Sequence, residues 1–187
     1  MGLKTNKLLI VDLEATCWED KEYQYINSEI IEIGLAVLDT KSLKVERSRG
    51  ILVKPKHSEI SQYCTNLTTI TPRMIQKQGV PLEDAIRIMQ KNYPCKRIWA
   101  SWGNYDRIQI EVECAKKEIE YPFGTSHINL KDIYAIMNQL PKGIGVRKAL
   151  SQSGLDLEGI HHRGVDDARN IARIAAKMIE KFNNNGG

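Results

Sequence analysis

Short apolar runs crowd the first third of the chain, and longer segments with helical spacing follow. Leu8 to Glu14, Ile30 to Leu38 and Val45 to Val53 are rich in Leu, Ile and Val over strand-like lengths, which predicts three strands. Helices are predicted over Ser58 to Cys64, Pro72 to Gln78 and Leu82 to Asn92, the last two opened by Thr71-Pro72 and by Pro81. A fourth strand, Arg97 to Ser101, leads into a helix from Tyr105 to about Ile119, and a fifth, His127 to Leu130, leads into a helix from Lys131 to Asn138. Gly145 to Ser151 is a further short helix, and Val165 to Phe182 a long one, with Gly164 before it and Asn and Gly after it. Strands first and then alternating helix and strand predict one α/β domain over residues 1–182: a mixed five-stranded sheet flanked by helices. Residues 183–187 are predicted to be a disordered tail.

Some polar positions break this pattern in a way that points to chemistry. Asp12 and Glu14 close the first strand at i, i+2, so both project from the same face. Two like charges at the end of a buried strand repel each other and resist desolvation unless a cation compensates. Oxygen-only ligation suits a hard ion such as Mg²⁺ or Mn²⁺. On the last helix, steps of three and four from Asp167 reach Ile171, Ile174, Ala175, Met178 and Phe182, an apolar face that places Asp167 toward the core. The same steps from Asp166 reach Asn170, Arg173 and Lys177, a solvated stripe, which makes Asp166 a surface acid favoured by the helix N-terminus. Asp106 falls in the first turn of its helix behind a predicted Asn104 N-cap, where an acid commonly complements the helix dipole. His161 and His162 precede the last helix, and either could take a proton from water near neutral pH; spacing alone does not choose between them. His57 and His127 have no acidic neighbours at such spacing and are read as surface or packing residues.

Composition narrows the class without naming it. At 187 residues, 42% hydrophobic and 27% charged, the chain has the make-up of a single soluble domain. Its net charge is +4, and if four acids serve a metal site the rest of the surface is more basic than that total, which suits a polyanion. Lys54, Lys56, Arg73, Lys77, Arg107, Lys142, Arg147, Lys148 and Arg163 are candidate phosphate contacts. Cys17, Cys64, Cys95 and Cys114 show no C-x-x-C spacing, so reduced cysteines and a cytoplasmic setting are expected. No segment approaches a membrane span and no secretory leader is visible, so no membrane partner is expected. Gly143-Ile144-Gly145 lacks the third glycine and the preceding strand of a dinucleotide fingerprint. Trp99 is expected in the core, while Trp18 and Trp102 flank the acidic segments and could stack on bases.

Taken together, Asp12-Leu13-Glu14-Ala15-Thr16-Cys17, Asn104-Tyr105-Asp106 and His162-x4-Asp167 resemble, in order and spacing, the three motifs of the DEDDh 3′-to-5′ exonucleases. The resemblance covers nearly the whole chain and is strongest to the Eri-type exoribonuclease branch. Trp18, the stretch Cys64 to Thr71, Ser101-Trp102-Gly103-Asn104 and Leu157-Glu158-Gly159 add to it.

The resemblance implies a ribonuclease H-like fold and hydrolysis with two Mg²⁺ or Mn²⁺ ions held by Asp12, Glu14, Asp106 and Asp167. It selects His162 over His161 as general base, with Glu14 also catalytic. Glu14, Ala15, Thr16, Leu67, Trp102, Asn104 and His162 would contact the terminal nucleotide, Leu67 as a wedge beside its base. The implied reaction releases nucleoside 5′-monophosphates from the 3′ end of a small or structured RNA. A DNA or mixed-specificity exonuclease is the alternative within enzymes, and a non-catalytic RNA-binding module the alternative outside them. Eri-type relatives often carry an additional RNA-binding domain, for which 187 residues leave no room, and no protein partner is legible.

Overall fold

A computed structural model describes residues 5–20 and 28–185. Five strands form one sheet: β1 (Lys7–Ala15), β2 (Ile30–Asp39), β3 (Val45–Leu52), β4 (Trp99–Ser101) and β5 (His127–Asn129). Their spatial order is β3-β2-β1-β4-β5, so the first strand in sequence is the central one in space. β1 pairs antiparallel with β2, and β2 with β3. β4 joins β1 in parallel and β5 joins β4 in parallel, which makes the sheet mixed. Among the described residues the helices are α1 (Gln62–Thr68), α2 (Pro72–Gln78), α3 (Leu82–Asn92), α4 (Tyr105–Lys116), α5 (Leu130–Met137), α6 (Val146–Gln152) and α7 (Gly164–Asn185). The α/β mixed-sheet architecture expected from the pattern is therefore present. None of these helices is long and apolar enough to cross a membrane.

Strand alternation sends side chains to the two faces of the sheet, and a third, smaller cluster gathers Cys17, Ile31, Cys64, Ile70 and Ile75. Leu9, Val11 and Leu13 of β1, with Ile33, Leu35 and Val37 of β2, pack against α3, Ile110 and Cys114 of α4, and Trp99. Leu8 and Ile10, with Ala36 and Leu38, pack against α5, α6 and α7. Even-numbered positions of β1, and of β2 beyond its first residue Ile30, therefore face α7, which decides where the strand acids go.

Several boundaries differ from the predicted ones, for local reasons. The helix expected over Ser58 to Cys64 starts at Gln62, because the Ser61 hydroxyl accepts from the Cys64 N–H and caps it there. α4 stops at Lys116, and Glu118 then turns with φ of 56°. Asn104 precedes α4 but makes no side-chain cap bond. α7 runs on to Asn185, so residues 183–185 are helical where a disordered tail was expected; residues 186–187 lie outside the described residues. Phe182, predicted on the buried face, is 71% exposed, and the buried stripe of α7 ends one turn earlier at Met178. The four cysteines are buried and none is in a disulfide.

Candidate active site

Asp12 and Glu14 occupy the even, α7-facing positions at the carboxyl end of the central strand. Directly across the β1–β2 ladder, Glu14 pairs with Glu32 and Asp12 with Gly34. The glycine is required: a Cβ on Gly34 would stand 1.9 Å from the Gly164 carbonyl carbon. Backbone therefore meets backbone where α7 begins, and the first turn of α7 lands over the strand acids. Asp167, 3% exposed, points into that gap. Oxygens of Asp12, Glu14 and Asp167 come within 4.8 Å of one another.

Asp106 arrives from the opposite direction. Since β4 is parallel to β1, the start of α4 lies at the same strand end as Asp12 and Glu14. Asp106 is buried and accepts the Leu13 N–H at 2.8 Å, which fixes it beside the strand between the two other acids. The predicted dipole acid is thus a member of the cluster.

The cluster is electrostatically unfavourable by itself. Burial, and then the neighbouring charges of Asp106, Glu14, Asp167 and Glu32, push the Asp12 carboxyl well above its ordinary range. Burial, with Asp167 and Glu32 next, lifts Glu14 to about 9. Burial lifts Asp106 to about 6, opposed by the hydrogen bond from Leu13. An all-oxygen set that holds protons this tightly fits divalent hard cations, which replace the protons and end the repulsion. Glu14 binds its proton more tightly folded, at about 9, than in a free chain, near 4.5, so the metal-free fold loses stability as pH rises from 4.5 to 9. Thermal melts at pH 6 and pH 9 should show that fall, and Mn²⁺ should restore more at pH 9 than at pH 6; a metal-free protein equally stable at both would contradict it.

The loop before α7 is held by a row of helix side chains. Asn170, predicted on a solvated stripe, is fully buried: its amide donates to Glu158 O at 2.9 Å and its oxygen accepts the Glu158 N–H at 3.1 Å. Asp166 accepts the Ile160 N–H at 2.9 Å and Arg173 donates to Asp156 O at 2.7 Å. The row was misread because the loop folds back over that side of the helix, which helical periodicity does not reveal. Asn170→Ala removes both bonds to Glu158 from a dry site, so a loss of about 1–3 kcal/mol is expected in denaturant unfolding.

The two histidines divide their contacts. The His161 ring places Nδ1 3.0 and 3.1 Å from the two Asp167 oxygens. His162 reaches the same carboxylate through its backbone N–H, at 2.8 Å. Its ring is half-buried, and burial, then His161, lowers its pKa.

Other predicted contacts are sorted by their surroundings. Leu67 is 37% exposed on α1, as a wedge requires. Ala15 and Thr16 are buried, and the Thr16 hydroxyl is engaged with the Glu29 N–H and the Ser58 hydroxyl, so Thr16 braces the strand end rather than offering its side chain to a ligand. The Trp102 indole donates to Ile144 O at 2.8 Å and packs on Tyr134, which commits it to joining β4 with α5 and α6. Asn104, two residues before Asp106, is exposed. Arg163, a candidate phosphate contact, instead pairs with buried Glu32 at 3.1 Å. Sequence reasoning missed Glu32, which also accepts the Gly164 N–H at 2.9 Å and so fastens α7 to β2. A lone acid within Ile30-Ile31-Glu32-Ile33 was a usable signal, by the same desolvation logic applied to Asp12. His127, read as a surface or packing residue, has its Nε2 2.9 Å from the Ser101 hydroxyl.

Comparison with known proteins gives a consistent picture. Residues 9–175 match the protein family described as Exonuclease (RNase_T). The 3'-5' exoribonuclease 1 of Rattus norvegicus is 30% identical over 183 residues, covering 92% of this chain and 53% of the relative. ERI1 exoribonuclease 2 of Homo sapiens is 29% identical over 198 residues, covering 92% of this chain and 28% of the relative. The chain thus spans about half the length of the first relative and less of the second. Among solved structures, the nuclease domain of 3'hExo, a DEDDh family member bound to rAMP, is 28% identical with a TM-score of 0.82, covering 94% of this chain and 92% of that one.

Proposed function

The chain belongs to the exonuclease family that it matches over residues 9–175, and we propose that it removes nucleotides from the 3′ end of RNA with Mg²⁺ or Mn²⁺ as cofactor, releasing nucleoside 5′-monophosphates. One observation carries the chemistry: Asp12, Glu14 and Asp167, from two distant segments, bring oxygens within 4.8 Å at the carboxyl end of the central strand. Asp106 extends that set from α4 and is fixed by the Leu13 N–H. When bound, two ions held there would activate water and neutralise charge developing on the phosphoryl oxygens.

The protein's own groups supply position and proton transfer. His162, on the clamped loop, is the general base, and its lowered pKa keeps the ring neutral and able to accept a proton at physiological pH. Leu67, exposed on α1, would serve as the wedge beside the terminal base. Exposed Lys142, Arg147 and Lys148, around the start of α6, suit the phosphates that follow.

RNA is preferred over DNA because the relatives are named exoribonucleases and because the 3'hExo nuclease domain, similar over nearly its whole length, binds rAMP. A panel of matched RNA and DNA oligomers with defined 3′ ends, single-stranded and duplex, tests this in Mn²⁺ and in Mg²⁺. Faster mononucleotide release from RNA is expected. Equal or faster release from DNA would replace the substrate assignment, and no release from either would leave a nucleic-acid-binding module.

A further inference from the structure

His161 has no part in the chemistry proposed above, yet its ring is held against that site. Neighbouring residues of an extended chain point to opposite sides. Here His162 takes φ of 63°, a left-handed conformation that a residue with a side chain adopts only when its surroundings impose it. The turn brings both imidazoles to one side, stacked with centroids 3.9 Å apart. Three positions before His162, Gly159 has φ of 78° and no room for a Cβ, which would stand 2.2 Å from the Asp166 carboxyl carbon. Together with the Asn170 and Asp166 bonds to the loop, this fixes the ring pair over Asp167. The result is a second donor set: one nitrogen from each of His161 and His162 and one oxygen of Asp167, all within 4.8 Å of one another.

This set differs in kind from its neighbour. Imidazole nitrogens are poor ligands for Mg²⁺ and good ones for Zn²⁺. Two histidines and one carboxylate, with a fourth position open, make a borderline set of the sort that binds zinc exchangeably rather than as a closed structural site. Asp167 belongs to both sets, so the two cannot be filled independently.

We propose that His161, His162 and Asp167 form a Zn²⁺ site, and that zinc bound there inhibits the protein by withdrawing Asp167 from the oxygen cluster and His162 from proton transfer. The binding half stands on geometry alone; the inhibition half rests on the proposed nuclease function.

The test uses the full chain, freed of metal, with Zn²⁺ titrated against a chromophoric chelator and Co²⁺ as a spectroscopic substitute. One zinc per chain is expected. His161→Ala and the size-conserving His161→Gln should weaken it by at least about tenfold, since even residues that merely orient a ligand are worth about 10–100-fold in metal affinity. Asp12→Asn, which disables the oxygen cluster, should retain zinc and the Co²⁺ visible spectrum. Zinc affinity unchanged by both His161 substitutions, or lost in Asp12→Asn, would overturn the site. In RNA cleavage, each protein compared with its own zinc-free rate, the inhibitory zinc concentration should rise in the His161 variants by the same factor as the dissociation constant. Were wild type to cleave nothing, the affinity series would still decide the binding site, separately from the nuclease function.

Discussion

Asp167→Asn is expected to reduce turnover by at least about 100–1000-fold while Asp166→Asn loses only a few-fold. Asp167 is buried and its oxygens meet those of Asp12 and Glu14. A ligand that helps to hold the metal ions bears on several kcal/mol of transition-state stabilisation, and each 1.4 kcal/mol or so is tenfold in rate. Asp166 only accepts the Ile160 N–H and pairs with Arg169, and the amide oxygen of asparagine can still accept from Ile160. The comparison should be made under single-turnover conditions across a Mn²⁺ series, so that weakened binding is separated from a slower step. Unfolding adds a second signature. Removing one charge from a self-repelling cluster should leave the metal-free Asp167→Asn fold at least as stable as wild type at pH 8. Similar rate losses in the two variants, or a clear fall in stability at Asp167, would refute the assignment.

His162→Ala should cost about 10²–10⁴-fold, the usual worth of a positioned general base, and clearly more than His161→Ala. The pH dependence follows from burial, reinforced by His161, which lowers the His162 pKa from 6.5. The base works when neutral. The rate should therefore climb with pH and level off above a midpoint below 6.5, a limb that His162→Ala removes. Saturating metal is essential, because Glu14 in the metal-free site keeps its proton to about 9 and would otherwise add a later rise of its own. A rate that falls with pH, or a midpoint above 6.5 at saturating Mn²⁺, would assign the proton transfer to another group.

How much of this was legible differs from residue to residue. Period-two alternation placed Asp12 and Glu14 on one face, and Leu8, Ile10 and Leu9, Val11 divide between the two cores as that requires. Helical period separated Asp167 from Asp166, and Ile171, Ile174, Ala175 and Met178 are buried as predicted. Asp106 was out of reach of local pattern, because its position depends on β4 pairing with β1 across some ninety residues of intervening chain. The same limit hid Asn170, whose burial comes from a loop crossing the helix, and the contact between the His161 ring and Asp167, which comes from one left-handed residue. Glu32 was visible and overlooked.

The order in which the sheet is assembled also bears on when the protein can act. The central strand precedes the other four in the chain and pairs with β2, which in turn pairs with β3, but its parallel partner β4 begins only at Trp99. The oxygen cluster lacks a member until Asp167 has been made and α7 has docked across Gly34. On the ribosome, a nascent chain would thus carry the strand acids without a complete cluster from the synthesis of β1 until that of α7. Of the described helices α7 comes last in chain order, and it is the one that completes the cluster.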